Sequence, residues 1–415
     1  MRAFAAAVMA ASLAVLGGFG GADAKVSIPG SPFETDCLNL VLEHRKELPG
    51  QFHTPSCDVI VSMLLWPSKG QRLSEQDRLG LLLSLHHRGW IAEDAAFNPD
   101  PLWQNLALSL LQTHQDQEAL AVVHDIADPY DIIEMRVDND EAALVRLDPT
   151  WFEPREAMAR SLEQLRARAA AEPDRVVWLV VIALTLSQAG DDAQALSVLD
   201  DALSRDASHA KPGFSDMDQL RRAVLATRGY ALYGLGRTDE AIASMTLAVR
   251  WREDFHDNAP AKLVLAGFYD LLGRPADALA AISDVQLGAV SAHDAMARAE
   301  ARAAAYAQLG DRNGLDKAMA YGREHAAASV KLYQRMLLDA DDEDGAAAEY
   351  IARLQDPLQR QSALAELQDW RPPPGVAPFA VEIERRRLKV RGRPDVQAAI
   401  ARVGRIERFD LTPPN

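Results

Sequence analysis

The sequence predicts an all-α protein built as a stack of helix–turn–helix units. Three observations carry that expectation. Apolar residues make up 48% of the chain but aromatics only 6%. Alanine supplies much of the apolar count, which suits helices with closely approaching backbones and suits a β-sandwich poorly. Between Ala223 and Glu253, the small residues Gly229, Gly236, Ala241 and Ala248 follow one another at intervals of seven, five and seven. Small residues so spaced let two antiparallel helices cross closely. The position of Ala241 also recurs: Ala195, Ala241, Ala278 and Leu315 lie 46, 37 and 37 residues apart.

The unit at Ala223–Glu253 is the best formed. One helix is expected over roughly Gln219–Leu235 and a second runs to Trp251. Gly236-Arg237-Thr238 makes the turn, with Thr238 as N-cap and Asp239-Glu240 favourably placed in the first turn beyond it. These features resemble the tetratricopeptide repeat, a helix–turn–helix unit of about 34 residues. The resemblance is specific over Arg175–Glu324 and looser on either side. It implies an α-solenoid of tetratricopeptide-like repeats whose first helices line a concave groove for peptides or partner helices. By position in the repeat, that groove is lined by Val180, Leu184 and Ser187, then Ala226, Tyr230 and Tyr233. Leu263, Gly267 and Asp270 follow, then Glu300, Ala304 and Ala307. The partner-contact candidates are Leu184, Tyr230, Tyr233, Asp270 and Glu300. The lining lacks the Lys/Asn/Arg set with which some members of the family clamp a terminal carboxylate, so a hydrophobic or aromatic-anchored segment fits better. Ordinary packing is the competing reading for both tyrosines. The implied function is a non-enzymatic protein–protein interaction module or scaffold. A structural element of a cell-envelope assembly, or an enzyme with an unrecognised site, are the alternatives.

Taken in order, residues 1–24 read as a cleaved secretory signal. Met1-Arg2 precedes an apolar run from Ala3 to Leu16, and Ala22-Asp23-Ala24 supplies the small-x-small pattern before Lys25. The run is short of the roughly 20 residues that span a bilayer, and no other stretch qualifies. The implied destination is the bacterial periplasm or the exterior, and an uncleaved anchor helix is the alternative reading of the apolar run. Residues 25–97 read as a helical cap over the first repeat. Cys37 and Cys57, the two cysteines, are expected to form a disulfide in that oxidising space, and two buried free thiols are the alternative. Residues 98–174 read as degenerate repeats, with Trp103, Ala107 and Leu110 on one helix, Ala119 on the next, and His114 where the turn glycine belongs. Tyr130–Leu147 is expected to be a short extended segment or hairpin, because DIIEMRV has β character and Asp138-Asn139-Asp140 has turn character. Residues 175–329 hold the well-formed repeats, with Gly190, Gly236, Gly273 and Gly310 at their turns. Residues 330–370 read as further helices separated by an acidic linker from Asp339 to Gly345. Residues 371–415 follow a proline break as a basic helical tail, with nine Lys/Arg against five Asp/Glu between Glu382 and Asp410.

Charge and motifs exclude several classes. A net charge of −16 repels nucleic-acid phosphates and anionic lipid. None of G-x-S-x-G, H-E-x-x-H, a Walker loop or a G-x-G-x-x-G after a strand is present, and no cofactor is implied. The ten histidines are scattered. Asp339, Asp341, Glu343 and Asp344 invite a calcium reading, but glycine falls at the seventh place and Tyr350 at the twelfth, so a solvated linker is expected. The cluster Arg385-Arg386-Arg387 with Lys389, Arg391 and Arg393 is expected to dock on the chain's own acidic body, an anionic surface or an acidic partner being the alternative.

Overall fold

The computed structural model describes residues 75–87, 99–208, 213–251, 258–286, 290–372 and 378–412. The expected signal segment and the Cys37–Cys57 pair lie outside them. The described residues are 76% helical with almost no sheet, and they fall into two compact units. Of the described residues, one unit comprises those up to Ile132 together with Glu141–Ala157; the other contains Ile133–Asp140 and those from Met158 onward.

In the first unit, α1 (Glu75–His87), α2 (Asp100–Gln112) and α3 (Asp116–Val123) come first. Leu102, Trp103, Leu106, Ala107 and Leu110 of α2 are buried, as are Ala119, Val122 and Val123 of α3. This antiparallel pair turns at His114, whose φ is +60°. A side chain in that left-handed region costs about 1–2 kcal/mol relative to glycine. His114 is exposed, so His114→Gly is expected to stabilise this unit by about 1 kcal/mol. Urea denaturation checks it, and an unchanged midpoint contradicts it.

The expected hairpin at 130–147 is instead two short helices, α4 (Pro129–Val137) and α5 (Ala142–Leu147). Asp128 decides the matter. Its Oδ1 accepts the Tyr130 amide at 2.7 Å, and Pro129 supplies the preset φ of a first helical residue. Ile132, Ile133, Met135 and Val137 are all buried, so the β-branched run packs as a helix face. Only the turn at Asp138–Asp140 persists, with Asp138 Oδ1 accepting the Asp140 amide at 2.9 Å.

In the second unit, α6 (Pro154–Ala171) leads into five helix pairs. They are α7 (Val176–Ala189) with α8 (Asp192–Ala207), α9 (Met217–Gly234) with α10 (Thr238–Arg250), α11 (Ala259–Leu271) with α12 (Pro275–Ala281), α13 (Ala292–Leu309) with α14 (Arg312–Glu324), and α15 (Val330–Asp339) with α16 (Glu343–Gln355). The first four turn on Gly190, Gly236, Gly273 and Gly310, each with φ between +69° and +87°. The fifth turns on Asp341, φ +57°. The stretch expected to be a solvated linker is therefore the turn of a further repeat. Gly229 sits where α9 crosses α10, and a Cβ there would come within 2.9 Å of Met245 Cγ. Gly236 meets nothing within 4 Å, so its role is the turn's positive φ and not close packing.

The chain continues through α17 (Arg360–Leu367), β1 (Asp369–Trp370), α18 (Pro378–Arg391), α19 (Pro394–Val403) and β2 (Arg408–Phe409). The basic α18 faces the acidic turn: Arg386 donates to the Leu338 and Asp339 carbonyls at 2.9 Å, Lys389 pairs with Glu343, and Arg393 pairs with Asp344 at 2.6 Å. Residues 403–412 then tie distant parts of this unit together. The Arg405 amide donates to the Val137 carbonyl at 3.0 Å and the Asn139 amide to the Val403 carbonyl at 2.9 Å. β2 runs parallel to β1. The Thr412 amide and hydroxyl both donate to the Gln188 carbonyl, and Arg371 donates to the Ala189 carbonyl at 3.0 Å. The open carbonyls at the end of α7 are thus capped from more than 180 residues away.

Candidate functional site

The first helices lie side by side: α7 against α9, α11 against α13, and α13 against α15. α9 meets α11 through aromatic rings, with Phe268 edge-on to Tyr230 at 5.7 Å and to Tyr233 at 5.6 Å between centroids. The five residues expected at a partner face all lie on these helices and are all 3–8% exposed. Tyr233 and Leu184 serve packing. Tyr230, Asp270 and Glu300 come together around a residue that the sequence reading did not reach, Arg335 of α15.

Arg335 Nη2 pairs with Glu300 Oε1 at 3.1 Å, and its side chain is 30% exposed while that of Glu300 is 5% exposed. Asp270 lies beside them. Its Oδ1 accepts Gln308 Nε2 at 3.1 Å, and its Oδ2 has no hydrogen-bond partner. Asp339, the last residue of α15, is buried, and its Oδ2 is likewise without a partner. So is the Tyr230 hydroxyl. Buried polar atoms are almost always hydrogen-bonded, and each exception calls for an explanation.

The electrostatics follow from burial and charge count. Burial first, and then the charges of Glu300 and Asp339, push the Asp270 carboxyl up to about 9, against the pull of Arg335. Burial and then Glu300 also raise Asp339 well above the usual carboxylate range. Burial opposes the charge on Arg335, but Glu300, Asp339 and Glu366 more than offset it and hold the guanidinium charged. Burial also pushes the Tyr230 hydroxyl up.

Glu366 of α17 supplies the contrast. Burial works against its charge too, but Arg353 holds it below the usual range. Arg353 is 1% exposed and grips Glu366 with two bonds of 2.9 and 2.8 Å. That bidentate pair meets both oxygens, as a structural carboxylate requires. Asp270 and Asp339 have no such partner. Strongly perturbed carboxylates on a shared face are the pattern of a functional site more than of a scaffold.

Arg335 was within reach of sequence reasoning. The groove triplets stand ten, six and three residues before each turn residue. Counting back from Asp341 in the same way gives Lys331, Arg335 and Leu338. A register keyed to turn glycines ends with Gly310, because the fifth turn carries Asp341 in place of glycine. Among the described residues, no group of three or more His, Cys, Asp or Glu is placed to hold a metal ion, and no helix is long and apolar enough to cross a membrane.

These features define an all-α helical-repeat protein with a polar cluster on its first-helix face. The tetratricopeptide repeat family matches residues 223–255, the α9–α10 pair, so the chain carries a tetratricopeptide repeat there. Such repeats are typically non-catalytic interaction modules. Comparison with curated proteins and with solved structures returned no match.

Proposed function

We propose that the protein is a non-enzymatic binding module of the bacterial periplasm. On this reading it holds a segment of a partner protein in the groove formed by its first helices. The observation that carries the proposal is the convergence of Tyr230, Asp270, Glu300 and Arg335 from α9, α11, α13 and α15. Four consecutive repeats contribute one residue each, and two of the four, Tyr230 and Asp270, carry a buried polar atom that the fold leaves without a hydrogen-bond partner. The groove opens to solvent at Arg335 and Lys331, whose side chains are 30% and 35% exposed. Tyr230 and Tyr233, packed on Phe268, give the groove its apolar floor. The periplasmic part rests on the reading of residues 1–24 and on the two cysteines, and a mature chain beginning at Lys25 in the periplasmic fraction is the corresponding expectation.

Affinity capture from periplasmic extract tests the binding reading. The wild type is expected to retain a stoichiometric partner, and Arg335→Gln to lose it by roughly tenfold or more in affinity, as expected for removing one member of a buried charge pair. Circular dichroism verifies that the variant keeps its helix content. A partner retained equally by the two proteins rejects this face as the binding surface.

A further inference from the structure

We propose that the cluster around Arg335 is a cation site that takes the ammonium group of a lysine side chain presented by the partner segment. The inference rests on the reading of the first-helix face as a binding groove, and it names the chemistry that groove would recognise.

Three carboxylates converge there, Asp270, Glu300 and Asp339, and one guanidinium faces them from the same face. Arg335 is taken up by Glu300 at 3.1 Å. Arg386 of α18, which also faces Asp339, spends one amino group on the Leu338 and Asp339 carbonyls and its Nε on Glu382 and Asp341. Lys331 of α15 is turned to Glu366 at 3.9 Å. Gln308 of α13 and Tyr230 of α9 complete the surroundings. Three carboxylates against one guanidinium leave the cluster two positive charges short, and an entering ammonium supplies one of them.

The unmet atoms point the same way. Asp270 Oδ2, Asp339 Oδ2 and the Tyr230 hydroxyl are buried without hydrogen-bond partners. Tyr230 is independent of the acidic group, and the Arg335 guanidinium is its resolved electrostatic neighbour. An ammonium carries three donors and no acceptor, so it matches a set made of acceptor oxygens. Among the described residues, no group of three or more His, Cys, Asp or Glu is placed to hold a metal ion. Without a bound cation, Asp270 and Asp339 hold protons in place of the missing charges. When the ammonium enters, the Asp270 proton leaves to solvent and the Asp270–ammonium pair forms. Binding and proton release are thus a single exchange.

The test uses N-acetyl-tetralysine amide as probe, with calorimetry at pH 7 in two buffers of different ionisation enthalpy. The wild type is expected to bind with release of about one proton, since Asp270 changes from protonated to charged. The double variant Asp270→Asn with Asp339→Asn, which keeps the shape and cannot ionise at either place, is expected to bind roughly tenfold more weakly with no proton release. Asp201→Asn, which removes an exposed carboxylate from α8, is expected to behave as wild type. Equal affinity for all three proteins without proton release shows attraction to net charge alone and overturns the proposal, as does absence of binding. Butylammonium binding as tightly as the peptide assigns the site to free amines and overturns the peptide reading. If a partner is captured through Arg335 but the lysine peptide fails, the groove binds by another chemistry. If both fail, the binding reading itself falls.

Discussion

Replacing Asp270 by asparagine is expected to stabilise the protein at pH 8 by roughly 2 kcal/mol, and to change little near pH 4. The sign follows from the direction of the shift. The folded carboxyl is pushed up to about 9, whereas an unfolded aspartate titrates near 4. Between those values the folded state holds a proton that the unfolded state has released. Stability from this group is therefore complete below about pH 4 and is lost as pH rises toward 9, at up to about 1.4 kcal/mol per pH unit before relaxation of the site. Asparagine has no proton to lose, so its advantage grows with pH. Asp339, raised for the same reason, keeps part of the pH dependence in the variant. Urea denaturation at pH 5 and pH 8 measures the effect. A variant less stable than wild type at pH 8, or a gain that is the same at both pH values, contradicts the account. A stabilising change in so buried a place is what a site kept for function, at some cost in stability, should show.

Gly404→Ala is expected to act in the opposite direction, destabilising by roughly 3 kcal/mol. Gly404 is extended, so its backbone angles are open to any residue. Its constraint is proximity. An added Cβ would overlap the Val137 carbonyl oxygen and come within 2.8 and 3.0 Å of the Leu364 methyls. The carbonyl cannot move freely, because it accepts the Arg405 amide at 3.0 Å. The loss would spread along residues 403–412, which join the end of α4, β1 and the end of α7. Gly392→Ala is the control: its nearest neighbours stand at 3.4 and 3.5 Å, so the change is expected to stay within about 0.5 kcal/mol. Equal melting temperatures for the two variants would refute the tie.

The repeats were legible because one residue per unit has a strict requirement. Gly190, Gly236, Gly273 and Gly310 each supply the left-handed turn, and counting back from them placed Tyr230, Asp270 and Glu300 on one face. The same rule hid what broke it. His114 and Asp341 hold the same conformation with a side chain, so the pair α2–α3 read as weak and the pair α15–α16 was not read as a repeat. Losing that last pair removed Arg335 and turned Asp339 into a linker residue. Local capping by Asp128 outweighed the β-branched run at 132–137, a contest that composition alone does not decide. The route of residues 403–412 was out of reach for a different reason. Its hydrogen bonds join residues more than 200 positions apart, such as Thr412 and Gln188, and no local pattern encodes such a meeting. Docking of the basic segment on the chain's own acidic body was legible from charge, but its meeting with the turn at 339–345 was not, because that turn read as a solvated linker.

Site-specific photo-crosslinking tests the central claim, that the first-helix face is the binding face. A benzophenone side chain is placed at Lys331, beside Arg335 on α15, and separately at Leu247, 55% exposed on the second helix α10. The account predicts that irradiation with the captured partner gives a crosslink from position 331 and none from 247. A crosslink from 247 with none from 331 would place the partner on the opposite face and contradict it.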